Sequence, residues 1–531
     1  MEEPFSQSKT LLRFSLEDNA AVAVRNIEKG DDLSFEKGDD LSFGPAKDSI
    51  PLGHKLAVKS VRRGEPVLFY SGEIIGVARN DIAPGELIHT HNLRSALDLD
   101  SPYPSWRKPE FSRTSDVAVT RTTFEGFVRE RGTARRVGTR NDVWIIPTCG
   151  CAVRTARAMG ELGNHMLAGT SRLASIDRVH VLEHGFGCSE CKSDLENRTR
   201  KVLAAHVAHP NAAAVILVRL GCEDNRDFAD LLRVDPVCAN DFASGRIGVL
   251  TMQEIDQGSG RTVLEAGETL VRRAIDHAKG CRRESCPVSD LTLGVKCGAS
   301  GPFSGITANP LLGRVANRFM QMGATVLITE FPEFFGAVHT VLRRCASRSV
   351  YDETVSAFAR YRDELRAAGE PLDSNPSQGN IVAGLTTLAQ KSLGAVLKGG
   401  SGPVVGCLEY GEPAAPRQGG LVLCYGPGND LTAITTLEAA GASLIAWTTQ
   451  LGTSVGAHVP TPKIFAHSDA ARRYAGWSDF DAGRLLCRET SWNSLTDALY
   501  DTVLDIAEGR RAARNEVNGE AAFAIWSRIA K

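Results

Sequence analysis

The chain has no excess of charge of either sign. Among its 531 residues, 61 lysines and arginines stand against 63 aspartates and glutamates, a formal net charge of −2. A polyanion or an acidic membrane surface finds no basic face to bind, so nucleic acid and membrane are not expected partners. No stretch comes near the roughly 18 consecutive apolar residues of a membrane-crossing helix. Met1-Glu2-Glu3-Pro4 is acidic where a secretory leader would carry lysine or arginine ahead of an apolar run. The expected location is therefore the cytoplasm. A paired cysteine framework is missing too, because 13 cysteines is an odd number spread over a long chain, which argues for reduced thiols. The remaining composition, 42% hydrophobic and 23% charged, is that of an ordinary globular protein large enough for two to four domains.

Fold class reads as α/β, a small β-rich domain followed by larger domains with mainly parallel sheets. Residues 10–97 hold short alternating apolar runs broken by Gly and Asp, including Lys55 to Val61, Pro66 to Tyr70 and Glu73 to Val77, a strand pattern with few helices. A tandem octapeptide, Glu28 to Phe35 repeated as Glu36 to Phe43, is too short for a solenoid and lengthens a loop at little entropic cost. Residues 98–118 are proline-rich and aliphatic-poor, a linker. Beyond it, over 119–285 and 286–531, buried-type apolar runs (Ala213 to Val218, Ile247 to Met252, Leu291 to Val295, Ala324 to Ile328, Gly420 to Cys424, Ala442 to Trp447) alternate with helical patterns at Arg261 to Lys279, Leu311 to Met322, Glu333 to Ala346, Val355 to Ala368 and Leu495 to Ala513. That alternation predicts parallel sheets covered by helices. Turns rich in Gly, Ser, Thr and Asn follow several strands, where open α/β sheets collect ligands and helix N-termini face anions. A carboxylate ligand would suit them.

Several segments offer chemistry. His89 and His91, read as a strand exit, would share a face and could hold one divalent metal, or be a solvated or structural pair. Arg140 in Gly138-Thr-Arg-Asn141 could clamp a carboxylate with its fork, or be an ordinary surface arginine. Cys149-x-Cys151 and Cys188-x-x-Cys191 lack a matched second knuckle, so a four-cysteine metal site is not expected. His184 to Cys188 and Leu220 to Glu223 put soft or acidic groups in glycine turns, with inert buried thiols the alternative. Glu330 and Glu333, between a strand and a helix, could cap a dipole, bind a metal or move a proton.

In this order, His89-Thr-His-Asn92, Gly138 to Asn141, His184 to Cys188, His209-Pro-Asn211, Leu220 to Glu223, Ser304 to Pro310, Glu330-x-x-Glu333-x-x-Gly336, Gly384 to Thr387 and Lys391-Ser-Leu-Gly394 resemble the altronate/galactarate dehydratase family from about residue 15 to residue 490. The resemblance implies an N-terminal β-clip (SAF-like) domain, a second domain and a C-terminal α/β domain. It implies loss of water from a sugar acid to give a 2-keto-3-deoxy acid, with catalytic Lys391, Glu330, Glu333 and His184. Substrate contacts would come from Arg140, Asn141, Ser304, Thr307, Asn309, Thr386 and Thr387. A divalent metal, Fe2+ with Mn2+ or Mg2+ as alternatives, would be held by His89, His91, Cys188 and Glu223. The partners implied are a hydroxy acid substrate and, left open, a second copy of the chain.

The chain departs from that family's pattern within its loops. It carries Cys297-Gly-Ala-Ser-Gly301 in place of Cys-Gly-Gly-Ser-Asp, Ile381 in place of Lys, and Gln390 in place of Glu. Cys424-Tyr-Gly-Pro-Gly428, Thr448-Thr-Gln-Leu-Gly452 and Ala466-His467 stand where the pattern has Met-Asp-x-Pro-Gly, Thr-Thr-Gly-Arg-Gly and Thr-Asn. Two alternatives to dehydration follow: elimination of a group such as sulfite from a sulfonated hydroxy acid, or a silent member that binds an acid or a partner.

Overall fold

A computed structural model describes residues 6–7, 10–33, 44–98, 100–109, 121–131, 134–168, 176–186, 194–222, 227–234, 238–255, 262–371, 375–487 and 490–527. The α/β class holds, with a β-rich N-terminal part and a seven-stranded parallel sheet. Two small antiparallel sheets form the N-terminal part, one with strands Leu11–Arg13, Ala20–Ala23, Lys55–Ala57 and Leu87–Ile88, the other with Pro66–Phe69, Glu73–Ala78 and Leu93–Arg94. No helix occurs among the described residues of this part, as its period-two patterning predicts. The second copy of the octapeptide lies outside the described residues.

An all-parallel four-stranded sheet follows, ordered Val179–Val181, Asp142–Pro147, Ala212–Arg219, Ile247–Thr251. Helices Val153–Leu167 and Val263–Lys279 cover it. The second begins at a capping box, Thr262 and Glu265 each satisfying the other's backbone N–H. A three-stranded antiparallel sheet of Ala134–Gly138, Thr123–Arg131 and Arg283–Pro287 was not foreseen. Its strands alternate charged and apolar residues across a half-exposed ribbon, which the search for buried parallel runs passes over.

The largest sheet orders its seven parallel strands as Val404–Leu408, Gly420–Cys424, Thr325–Ile328, Thr292–Cys297, Leu444–Thr449, Lys463–Phe465 and Phe480–Asp481. The first of these in sequence, Thr292–Cys297, lies in the middle. Successive strands leave it first on one side and then on the other, so the switch point falls between Thr292–Cys297 and Leu444–Thr449, where such sheets open a crevice at their carboxyl ends. The expected helix from Glu333 to Ala346 is broken into short turns, Phe331–Glu333 and Phe335–Ala337, before Val338–Leu342. Gly336 explains the interruption: a Cβ there would lie 2.4 Å from Ala389 Cα, so the segment is pressed flat against helix Leu388–Val396.

Candidate active site

Four strand ends deliver polar groups to the crevice. Thr292–Cys297 ends in Lys296 and Cys297, Thr325–Ile328 runs on to Glu330, Gly420–Cys424 leads to Asp430, and Leu444–Thr449 to Gln450. Glu330 has φ of 79°, the left-handed region that costs a residue with a Cβ about 1–2 kcal/mol. Such strain persists only where the surroundings dictate it. Here it turns the carboxylate inward, 1% exposed, onto Lys296 Nζ at 2.6 Å from Oε1.

The cluster is a balanced set of three ammoniums and three carboxylates. Lys296 also donates to Asp430 Oδ1 at 2.7 Å and lies 4.5 Å from the Trp447 ring centre. Lys391 reaches Glu333 Oε1 at 2.7 Å and donates to Asn375 Oδ1 at 2.9 Å. Lys398, wholly buried, donates to Cys297 Sγ at 3.1 Å and stands 3.6 Å from Glu330 Oε2. That Oε2 has no hydrogen-bond partner among the described residues. Burial raises the Glu330 carboxyl to about 7 despite Lys296 beside it. Burial also opposes the Glu333 charge, but Lys391 and Lys398 outweigh it and hold the group at about 2. Burial pushes the Cys297 thiol up to about 11. The two neighbouring glutamates are thus driven apart, the pattern expected of a proton-moving pair.

The helix Leu388–Val396 brings Lys391 to this cluster. Thr387 caps it by accepting from Gln390 N, and its hydroxyl donates to Ile75 O of the N-terminal part. Thr386 donates through N and Oγ1 to Gln390 Oε1, each at 2.9 Å. Ser304 accepts from Gly301 N, Thr307 donates to Ala466 O, and Asn309 Nδ2 donates to Gly394 O. These buried positions shape the loops around the site.

The N-terminal part closes over the same loops. Lys55 Nζ donates to Gly384 O at 2.7 Å and Gln390 Oε1 at 2.9 Å. His89 Nε2 donates to Ile381 O at 3.1 Å, and its ring stacks on His54. The predicted shared strand face for His89 and His91 is corrected: the chain turns at 89–92, Leu93 N donating back to His89 O, and His91 is exposed. Both His89 ring nitrogens are engaged, Nδ1 by Thr90.

Other expected site residues fall elsewhere. The Arg140 fork is filled by Glu516, Nε and Nη2 donating at 2.6 and 2.9 Å, and its Nη1 donates to Ile506 O. It is a buried structural pair, which corrects the expectation of an open carboxylate clamp. Asn141 accepts from Arg129 and donates to Ala278 O. His184 donates to Pro147 O beside Phe186 and Phe523, and the structure does not bring it to Glu330. Cys188, Cys191 and Glu223 lie outside the described residues. Sequence reasoning missed Lys296, Lys398 and Asp430, although a lysine within the apolar run Leu293 to Cys297 was a signal of a paired buried charge.

Comparison with known proteins places this arrangement. Residues 288–531 match the D-galactarate/altronate dehydratase C-terminal family, residues 126–279 the D-galactarate dehydratase/altronate hydrolase second domain, and residues 9–96 the altronate/galactarate dehydratase SAF domain. The chain is 35% identical over 505 residues to altronate dehydratase of Bacillus subtilis, covering 94% of this chain and 96% of that one. The chain belongs to the altronate/galactarate dehydratase family. It is also 34% identical over 513 residues to altronate dehydratase of Escherichia coli, 96% and 97% covered. A (2R)-sulfolactate sulfo-lyase β subunit of Chromohalobacter salexigens is 27% identical over 392 residues, 73% of this chain and 93% of that one. The similarity supports an enzyme of the hydro-lyase type.

The family suggests a divalent metal, and among the described residues one group of three potential ligands exists, Cys297, Glu330 and Glu333, with donor atoms within 4.8 Å of one another. Their element types would suit a borderline ion. Yet the place between the thiol and Glu330 Oε2 is taken by the Lys398 ammonium, and the outer oxygens hold Lys296 and Lys391. A divalent charge added to an already neutral buried set would be uncompensated. As they stand, these residues fit an ammonium rather than a metal ion.

Proposed function

We propose that the chain dehydrates a sugar acid or related hydroxy carboxylic acid to a 2-keto-3-deoxy acid, with Glu330 as the proton carrier. The unpartnered Glu330 Oε2, on a carboxyl raised to about 7 among three lysines, is the observation that supports it. The substrate carboxylate pairs with Lys391, whose ammonium Asn375 and Asn380 orient. Glu330 Oε2 takes the proton from the carbon beside that carboxylate. The charge spreading onto the carboxylate oxygens is held by Lys398 and Lys391, electrophiles aimed in advance at developing charge. The neighbouring C–O bond then breaks, and the leaving hydroxide takes the proton back from Glu330 to depart as water. The resulting enol tautomerises to the keto acid. A group titrating near neutrality can both accept and return that proton.

The test is keto acid formation from altronate, galactarate and smaller hydroxy acids, with and without ferrous iron, by wild type and Glu330→Gln. Turnover by wild type and a loss of about a thousandfold or more in the variant are expected. Unchanged turnover in Glu330→Gln would overturn the role, and no keto acid from any acid would overturn the dehydration. The likeness to the sulfo-lyase subunit favours a second reading, expulsion of sulfite after the same proton abstraction; sulfite release measured in the same assay separates the two.

A further inference from the structure

A cavity of about 150 Å3 lies between the four-stranded parallel sheet and the C-terminal segment. A hole of about that size takes a ligand as large as benzene. Its walls include Arg140, Asp142, Asp177, His180, His458 and Glu516. Asp142 opens the strand Asp142–Pro147 at 1% exposure, and among the described residues neither of its carboxylate oxygens has a hydrogen-bond partner. His180 Nε2 stands 3.8 Å from its Oδ2, and the Trp144 side chain also faces the carboxyl. A carboxylate removed from water without a donor is costly, so a ligand that supplies donors binds with that cost returned to it.

The surroundings select the sign of the ligand. The Arg140 guanidinium is consumed by Glu516, and Arg178 Nη2 donates to the Glu516 carbonyl at 2.9 Å. Three carboxylates, Asp142, Asp177 and Glu516, thus face two arginines. Burial, Asp177 and Glu516 raise the Asp142 carboxyl well above the usual range against the pull of Arg140. His180 is kept neutral by burial and by His458, whose ring meets it edge-on at 5.1 Å. Asp142, Asp177 and Glu516 leave one carboxylate in excess of Arg140 and Arg178, which favours a cation. A metal is the poorer fit, since among the described residues only Cys297, Glu330 and Glu333 bring three donors within 4.8 Å of one another.

We propose that this cavity binds a small aliphatic amine, its ammonium donating to Asp142 at the floor, with Asp177 at the exposed mouth. The ligand lies between the four-stranded sheet and the C-terminal segment, separate from the dehydration site. The test is calorimetric titration of the full chain with 1,4-diaminobutane in two buffers of different ionisation enthalpy, with butanol as the uncharged probe and Mn2+ alone as the metal probe. Diamine binding with proton release, at least tenfold weaker in Asp142→Asn and several-fold weaker in Asp177→Asn, is expected, with no binding of butanol. Should Asp142→Asn fail to fold, the exposed Asp177→Asn decides. Absence of diamine binding, equal affinity in the variants, or Mn2+ binding that replaces the amine and depends on Asp142 would each overturn the proposal.

Discussion

Lys55 is a buried ammonium with no carboxylate partner among the described residues, and replacing Gln390 by glutamate should supply one. Its side chain is 0% exposed and ends on two neutral acceptors, Gly384 O and Gln390 Oε1. Burial lowers it from an ordinary 10.5 to about 7. That distance, at about 1.36 kcal/mol per pH unit, sets a ceiling of about 5 kcal/mol for what the buried charge costs the fold below pH 7. The folded chain gives up this proton near pH 7 while the unfolded chain keeps it to 10.5. The unfolded state therefore binds more protons across that window, and stability rises with pH through it.

Glutamate at 390 puts a carboxylate 2.9 Å from the ammonium, and its oxygen can still accept from Thr386. At pH 7 Gln390→Glu should stabilise by about 2–4 kcal/mol, the size of a buried pair made or broken, and flatten the rise toward pH 10. Denaturation of wild type, Lys55→Met and Gln390→Glu at pH 7, 8, 9 and 10 measures it, the difference between wild type and Lys55→Met isolating Lys55. Parallel wild-type and Lys55→Met curves, or a Gln390→Glu protein no more stable at pH 7, would refute the reasoning.

The carboxyl that must be ionised to accept a proton sits near 7, so kcat/KM should fall about tenfold per pH unit on the acid side of that value. Lys296→Met, which removes the partner favouring the charge, should move that limb to higher pH, and pH–rate profiles of the two proteins check it. Arg140→Met should cost about 3 kcal/mol in a melt by leaving Glu516 unpaired, while KM stays within about twofold because the fork does not meet substrate. Gly301→Asp alone should destabilise by about 1–3 kcal/mol, since its Cβ would lie 2.4 Å from the Gln450 side chain. Gln450→Gly alone should cost about 1 kcal/mol by stripping Phe303 N of its acceptor. The double variant should recover part of the sum, read as a coupling of at least about 0.5 kcal/mol in a double-mutant cycle.

Where burial alone decides an element, apolar runs were enough to find it. Gly420–Cys424 was placed to the residue, and Thr325–Ile328 and Leu444–Thr449 to within two. The ribbon around Thr123–Arg131 escaped because its charged positions lie on a half-exposed face. At the site, Glu330 and Glu333 were legible as carboxylates between a strand end and a helix start, whereas Lys391, inside the helix Leu388–Val396, was named only through the family resemblance. Lys398 was not, because nothing local in Leu397-Lys-Gly-Gly400 says that the chain returns to Cys297 from 101 residues away. Arg140 misled for the complementary reason: its partner Glu516 lies 376 residues downstream, and a clamp for a ligand reads the same in sequence as a clamp for the protein's own carboxylate.

The departures from the family's pattern bear on whether this site has been rebuilt or abandoned. An idle site loses groups one at a time, leaving holes and unpaired donors. Here the missing side chain at Gly301 is matched by a longer one at Gln450, whose Oε1 accepts from Phe303 N at 2.7 Å and whose amide occupies the vacated space. Gln390 keeps three hydrogen bonds on one oxygen, including that of Lys55. Tyr425 packs with Phe331, Tyr361 and Trp526 behind Glu330, with Arg360 4.3 Å over its ring. His467 caps the helix Ser468–Arg473 and stands against Phe303. These four substitutions pack against neighbours, while the three lysines and three carboxylates between them keep a balanced charge set. Compensated changes around an intact charged centre are what selection for a different substrate produces, and they are costly to assemble around a pocket that does nothing.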